Sequence, residues 1–251
     1  MTLVEIEKKD NVGILKLNNG VTNPLDLGFL NEILDNLDKL KNDPDVTSVV
    51  FTSNNTKFFS IGFNLPVLTK QNQSEVISFY TTYNRLCMEL YTFTKPTVAA
   101  ITGHAVAGGC ILTLCCDQRF IAGGHKLMGV NEVKLGVPVP YPGACMLQQI
   151  VGVRAAGMMM EVGDFYEPPD LLGMGLVDQV IPLDDLLPKS IEKAREMGEL
   201  PNDIYNQIKS SRTELVENMV MPRLAEKEQK FIECWFSEDT RKRLVEAAKK
   251  F

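Results

Sequence analysis

The sequence predicts an α/β domain: a mixed sheet with crossover helices, followed by a helical C-terminal third. Three patterns predict it. Short apolar runs, among them Val46–Thr52, Thr97–Ile101 and Asp117–Ala122, alternate with segments whose apolar residues recur at helical spacing. Glycine-containing loops follow two of those runs, as strand-to-helix crossovers require. From Pro142 onward the pattern is helical, broken only by Leu176–Ile181.

The elements follow in order. Leu3–Lys8 and Val12–Leu17 alternate apolar and polar residues around Asp10-Asn11, which predicts an opening hairpin. Leu27–Lys41 carries Leu30, Ile33, Leu34, Leu37 and Leu40 on one helical face, and Asn42-Asp43-Pro44-Asp45 stops it. Val46–Thr52 reads as a buried strand. A polar loop, Ser53 to Lys57, leads into Phe58–Leu65. Ser74 is the expected N-cap of a long helix bearing Val76, Phe79, Tyr83, Leu86 and Leu90, ended by Lys95-Pro96. The strand Thr97–Ile101 runs into Gly103–Gly109, then an apolar helix from Cys110 to about Cys116, then a strand ending at Ala122. Leu186–Met197, Ile204–Asn218 and Leu224–Phe236 are charged helices with apolar stripes, and Asp239–Lys250 is a basic amphipathic helix end.

The chain has 251 residues, 45% hydrophobic and 23% charged, enough to bury one sizeable core. Its 26 Lys+Arg against 32 Asp+Glu leave a formal charge of −6, so neither nucleic acid nor an anionic membrane is an expected partner. No apolar run approaches the roughly 18 residues of a membrane span. Met1-Thr2-Leu3-Val4-Glu5 lacks signal-peptide chemistry, and Ala248-Lys249-Lys250-Phe251 lacks a Ser-Lys-Leu address. The 6 cysteines form no C-x-x-C pattern; a reducing cytoplasm is the expected location, and no metal is expected.

Two features carry chemistry. Gly62 and Gly108-Gly109 sit in loops after apolar strands. Such loops are either two tight turns or a pair that aims two backbone N–H groups at one oxygen. The glycines match neither a Walker loop nor the dinucleotide spacing, so ATP and NAD are not expected. Glu132 lies in a largely apolar segment, where desolvation would raise its pKa toward that of a base; the alternative is a solvated loop residue. Glu161 fits a buried or a surface position equally. His104 and His125 are too isolated for a triad or metal site. Met158–Met160 reads as core or subunit packing, with an acyl pocket as the alternative. Arg241, Lys242, Arg243, Lys249 and Lys250 form either a solvated helix face or an anion site.

Together these segments resemble the crotonase, or enoyl-CoA hydratase/isomerase, superfamily from about Val4 to the end. The stretches that carry the resemblance are Phe59–Leu65, Lys95–Gly103, Ala107–Cys110, Cys116–Arg119 and Gly175–Asp178. It implies a spiral of ββα units, with residues 1–190 as the core and 191–251 as a helical oligomerisation region of the same domain. It also implies a homotrimer or hexamer acting on an acyl-CoA thioester, with coenzyme A part of the substrate and no separate cofactor. By position, Phe63 and Gly108 match the residues whose N–H groups hold the thioester oxygen. Lys57 and Ile61 match the CoA-binding loop, and Gly62, Gly109 and Ile111 are taken as further substrate-binding positions. Position 64, commonly Asp, is Asn64.

Position 111 departs decisively. Family hydratases have a Glu there and a second matching Glu132, because water must be positioned and deprotonated while a proton reaches carbon; here it is Ile111. One carboxylate suffices for a proton shift. The pattern therefore resembles Δ3,Δ2-enoyl-CoA isomerases, with Glu132 as the proton shuttle and Ile111 keeping water out. Pro140 stands where a dienoyl isomerase would have an acid. A hydratase, thioester hydrolase, decarboxylase or non-catalytic acyl-CoA-binding protein are the alternatives.

Overall fold

The computed structural model describes residues 2–250; Met1 and Phe251, which belong to the terminal-signal expectations, lie outside the described residues. In chain order the elements are β1 (Val4–Lys9), β2 (Val12–Leu17), α1 (Leu27–Asn42), β3 (Ser48–Ser53), β4 (Phe58–Ser60), α2 (Leu65–Leu68), α3 (Gln73–Tyr91), β5 (Thr97–Ile101), β6 (His104–Val106), α4 (Gly108–Leu114) and β7 (Gln118–Ala122). There follow β8 (Met128–Gly129), α5 (Glu132–Leu135), α6 (Tyr141–Val162), α7 (Pro168–Gly173), β9 (Gln179–Ile181), α8 (Leu183–Gly198), α9 (Asn202–Val220), α10 (Leu224–Trp235) and α11 (Glu238–Ala248).

Six strands form one sheet in the order β1-β2-β3-β5-β7-β9, antiparallel in the opening hairpin and parallel thereafter. Both faces are covered, as a parallel sheet requires. Val12, Ile14, Val50, Val98, Ala100 and Phe120 face Leu186, Ile191 and Ala194 of α8. Their neighbours Leu15, Val49, Phe51, Ala99 and Ile121 face the main core, so the period of two decides the layer. The expected division at 190/191 falls inside α8, so helix and sheet share a core there.

A second sheet, β4-β6-β8, is all parallel, and β6 and β8 do not appear in the sequence reading. With three and two residues they are too short to show a period. The cap of α3 also differs. Asn72, not Ser74, is the N-cap: its side chain accepts from Glu75 N at 3.1 Å and its N–H donates to the Glu75 carboxylate at 2.8 Å. Helix α4 starts two residues earlier than expected, at Gly108, because Gly109 must pass directly over β4. A Cβ on Gly109 would overlap the Ser60 carbonyl oxygen.

Candidate active site

Where α4 leaves the short sheet, three segments meet α10 and α11 around a cavity of about 590 Å³. Ile61, Phe63 and Leu65 form one wall, Val106, Ala107 and Gly108 a second, Asn131, Glu132 and Leu135 a third. Trp235 of α10 lines the cavity as well, as do Lys242, Arg243 and Leu244 of α11 and Lys250 after it.

Two backbone N–H groups on this wall have no protein acceptor among the described residues. The bridge to Leu25 uses the groups on either side of Phe63: Leu25 N–H donates to Gly62 O and Asn64 N–H to Leu25 O, each at 2.8 Å. That leaves the Phe63 N–H free. The Gly108 N–H is first in α4 and has no carbonyl one turn behind it. Its own carbonyl accepts from the Tyr83 hydroxyl at 2.8 Å, which anchors the turn. Gly62 has φ +86°, and a Cβ there would lie 3.0 Å from Gly108 N and 2.9 Å from Val106 O. Only glycine lets the two loops close on one another at this point. Ala107, at φ 50° and ψ −121°, holds a conformation that costs an ordinary residue on the order of 1–3 kcal/mol. Its N–H bond to Gly129 O at 2.9 Å helps keep it there.

Glu132 opens α5 and is 5% exposed. Its Oε2 and the neighbouring Asn131 Oδ1 are buried without a partner. Loss of hydration pushes the carboxyl up from the ordinary 4.5 to about 7, partly offset by the N–H groups of Glu132 and Asn131. The Phe63 ring is held edge-on to Phe79 at 4.7 Å and Tyr83 at 4.8 Å, with Phe231 behind at 6.4 Å. Trp235 Nε1 is a further buried donor without a partner.

Of the expected site residues, Phe63, Gly108, Ile61 and Glu132 lie on this wall. Gly62 and Gly109 stand behind it as close-approach positions. Lys57 is not on the wall; it is exposed ahead of β4, its ammonium 5.8 Å from the Phe58 ring. Ile111 does not face the cavity either. It is fully buried against α6, where a Cβ on Gly143 would come 2.7 Å from its Cγ2. Asn64 donates to the Asp26 carboxylate at 3.1 Å, a bond an Asp at 64 could not make when ionised. His104 accepts from Leu127 N at 2.8 Å and His125 bonds Glu167 at 2.8 Å, both away from the cavity. Glu161 is exposed. Trp235 is on the wall and the Phe79 and Phe231 rings back it through Phe63, whereas Leu86 and Met88 pack elsewhere in the core. The basic tail divides. Arg241 donates to Thr69 O at 2.6 Å, whereas Lys242, Arg243 and Lys250 flank the cavity. Ala107 stood in the sequence only as the first residue of the Ala107–Cys110 stretch and Asn131 only as the neighbour of Glu132; the structure puts both on this wall.

Residues 7–251 match the family model described as Enoyl-CoA hydratase/isomerase. The chain belongs to that family. It is a crotonase-fold enzyme whose family substrate is an acyl-CoA thioester. It is 35% identical over 189 residues to mouse "Enoyl-CoA delta isomerase 1, mitochondrial", a match covering 75% of this chain and 65% of the mouse protein. It is 29% identical over 185 residues to "Crotonyl-CoA hydratase" of Syntrophomonas wolfei, covering 73% of this chain and 71% of that protein. The crystal structure of human mitochondrial delta3-delta2-enoyl-CoA isomerase superimposes with a TM-score of 0.95 at 26% identity, covering 99% of this chain and 97% of the human one. Isomerases and hydratases thus both stand among the relatives of this family member.

Proposed function

We propose that this enzyme moves the double bond of an enoyl-CoA from position 3 to position 2. The observation that carries the reading is a single buried carboxylate on the cavity wall. Besides Glu132, the only acid on that wall among the described residues is Glu246, exposed and paired with Lys249 at 2.7 Å. Hydration needs two placed acids; a proton shift needs one.

Glu132 as carboxylate removes a proton from C2, and the electron pair spreads over the dienolate to the thioester oxygen. The free N–H groups of Phe63 and Gly108 receive that oxygen, a contribution of about 2.7–4 kcal/mol per donor in comparable sites. Glu132, now protonated, returns the proton at C4, and the 2-enoyl thioester results with mass unchanged. A pKa of about 7 suits a group that must act as base and then as acid. Lys242, Arg243 and Lys250 supply positive charge for the CoA phosphates. Coenzyme A enters as part of the substrate, with no other cofactor. Ile111 contributes as packing behind the wall, not as a cavity-facing residue.

Purified protein given a medium-chain trans-3-enoyl-CoA, with a 2-enoyl-CoA control, tests the reading. The expected product is the 2-enoyl thioester at unchanged mass with little water addition to the control. A product heavier by one water would overturn it in favour of a hydratase. Free CoA in place of the thioester would instead favour a hydrolase.

A further inference from the structure

The three parallel strands of the short sheet all end at the site: β4 leads to Phe63, β6 to Gly108 and β8 to Glu132. They have three, three and two residues, and β8 pairs with β6 at two positions, Ala105 with Met128 and Val106 with Gly129. A slip between strands this short moves the two free N–H groups relative to the carboxyl. At the other end of the sheet His104, the first residue of β6, is bonded to both of the other segments. Its own N–H donates to Lys57 O, just ahead of β4, at 2.9 Å. Its ring Nδ1 accepts from the N–H of Leu127, just ahead of β8, at 2.8 Å. A backbone N–H can only donate, so Nδ1 carries no hydrogen and Nε2 does. The Phe58 ring of β4 packs on the imidazole with centroids 5.1 Å apart. From here the bonds run on toward the site, Ala105 N–H to Leu127 O and Ala107 N–H to Gly129 O, each at 2.9 Å.

We propose that His104 is a positioning residue: through Leu127 its Nδ1 holds β8 against β6, and so holds Glu132 in register with the Phe63 and Gly108 N–H groups. This role rests on the isomerase reading of those three groups given above. It also makes the register sensitive to acid. A proton on Nδ1 would set two donors face to face and break the bond to Leu127. The surroundings oppose that proton. The ring is half-buried, His125 lies edge-on at 5.7 Å, Lys57 stands 5.8 Å from the Phe58 ring, and Lys126 donates to Thr56 O at 2.7 Å. Glu167, the acid of this cluster, is taken up by His125 at 2.8 Å. Lost hydration first, and then His125, Lys126 and Lys57, hold the His104 pKa below the ordinary 6.5. The tie to Leu127 is thus intact wherever Glu132 is ionised, and it is lost only in stronger acid.

Three variants test the tie, assayed with trans-3-hexenoyl-CoA and followed by amide hydrogen exchange. His104→Phe keeps a ring against Phe58 and removes the acceptor. His104→Asn puts an Oδ1 acceptor where Nδ1 stood, and His125→Gln removes only the neighbouring imidazole. At pH about 8, His104→Phe should lose kcat roughly tenfold to 10²-fold with little change in KM, His104→Asn should recover most of it, and His125→Gln should match the wild type. The Leu127 and Ala107 amides should exchange faster in His104→Phe and not in His104→Asn. In acid, wild-type kcat/KM should fall with one proton below about 7, for Glu132, and with a second below 6.5, for His104; His104→Asn should lack the second. Unchanged kcat in His104→Phe overturns the positioning role, as does a raised KM at constant kcat, which would make His104 a substrate contact. If the wild type turns over no 3-enoyl-CoA, the isomerase reading fails, and the exchange of Leu127 and Ala107 still decides whether His104 holds the strands.

Discussion

Glu132 is the proton carrier of the proposed mechanism, and its burial has consequences in two measurements. Substitution Glu132→Gln keeps the volume and removes the proton carrier, so turnover should fall by about 10²–10⁴ with the fold intact. In the free enzyme kcat/KM should rise with pH and level off above an apparent pKa of about 7, as the carboxyl becomes the base. The same shift acts on stability. Between about pH 4.5 and 7 the folded chain keeps a proton that the unfolded chain has released, so stability falls as pH rises through that window and then levels off. The full effect is about 3 kcal/mol. Urea midpoints at about pH 5 and pH 8 should therefore differ more for the wild type than for Glu132→Gln, with the variant the more stable at the higher pH. Equal pH dependence in both would show that the carboxyl is not desolvated. Glu132 was visible in the sequence as an acid among apolar neighbours, but its burial depends on α10 and α11, residues about a hundred positions away.

At the scale of elements, the site depends on how closely α4 passes over β4. The Gly109→Ala variant should lose about 1–3 kcal/mol, because the new methyl group meets Ser60 backbone that has little room to give. The displaced turn would carry the Gly108 N–H with it, so kcat should drop by more than stability alone explains, up to about 10² for a shift near 1 Å. Thermal melts and kinetics on one sample check both; full activity would separate the glycine from the proposed oxyanion donors. A cap variant provides contrast. Asn72→Ala removes the capping box of α3 and should cost about 1 kcal/mol while leaving kcat alone, since Asn72 is exposed and off the cavity wall.

Across the whole molecule, two of the sequence motifs prove to be joints. Asp117 accepts from Thr97 N and Oγ1 at 2.8 and 2.9 Å, from Lys209 Nζ at 2.7 Å and from Arg212, tying α9 to the sheet. Arg119 reaches the carbonyls of Leu176 and Cys116 while its N–H meets Asp178 at 2.6 Å, which joins the Cys116–Arg119 and Gly175–Asp178 stretches. Asp117→Ala would leave the Lys209 ammonium buried and unpaired, a loss of about 3–5 kcal/mol measurable by urea unfolding. Exposed apolar side chains on α6 and α9 (Val153, Met158, Val162, Ile204, Ile208 and Leu215) are the surface on which we propose a homotrimer or stacked hexamer to form. Sedimentation equilibrium should give three or six copies, and a monomer at micromolar concentration would refute that assembly.

What the sequence determined by itself is everything that depends on near neighbours. Helices and longer strands were legible because their apolar periods lie within one segment, as in α1, α3 and β5. The glycines at 62 and 108 and the acid at 132 were legible because their residue types are chemically restrictive. Strands β6 and β8 were not, being too short to carry a period and stabilised only by pairing with distant chain. The tertiary structure alone decided which candidates share a cavity: it turned Ile111 toward Gly143, left Lys57 outside, and brought Trp235 and α11 over Glu132. Those outcomes rest on packing between segments far apart in the chain, whose contacts form only when the whole core closes and so leave no local pattern to read.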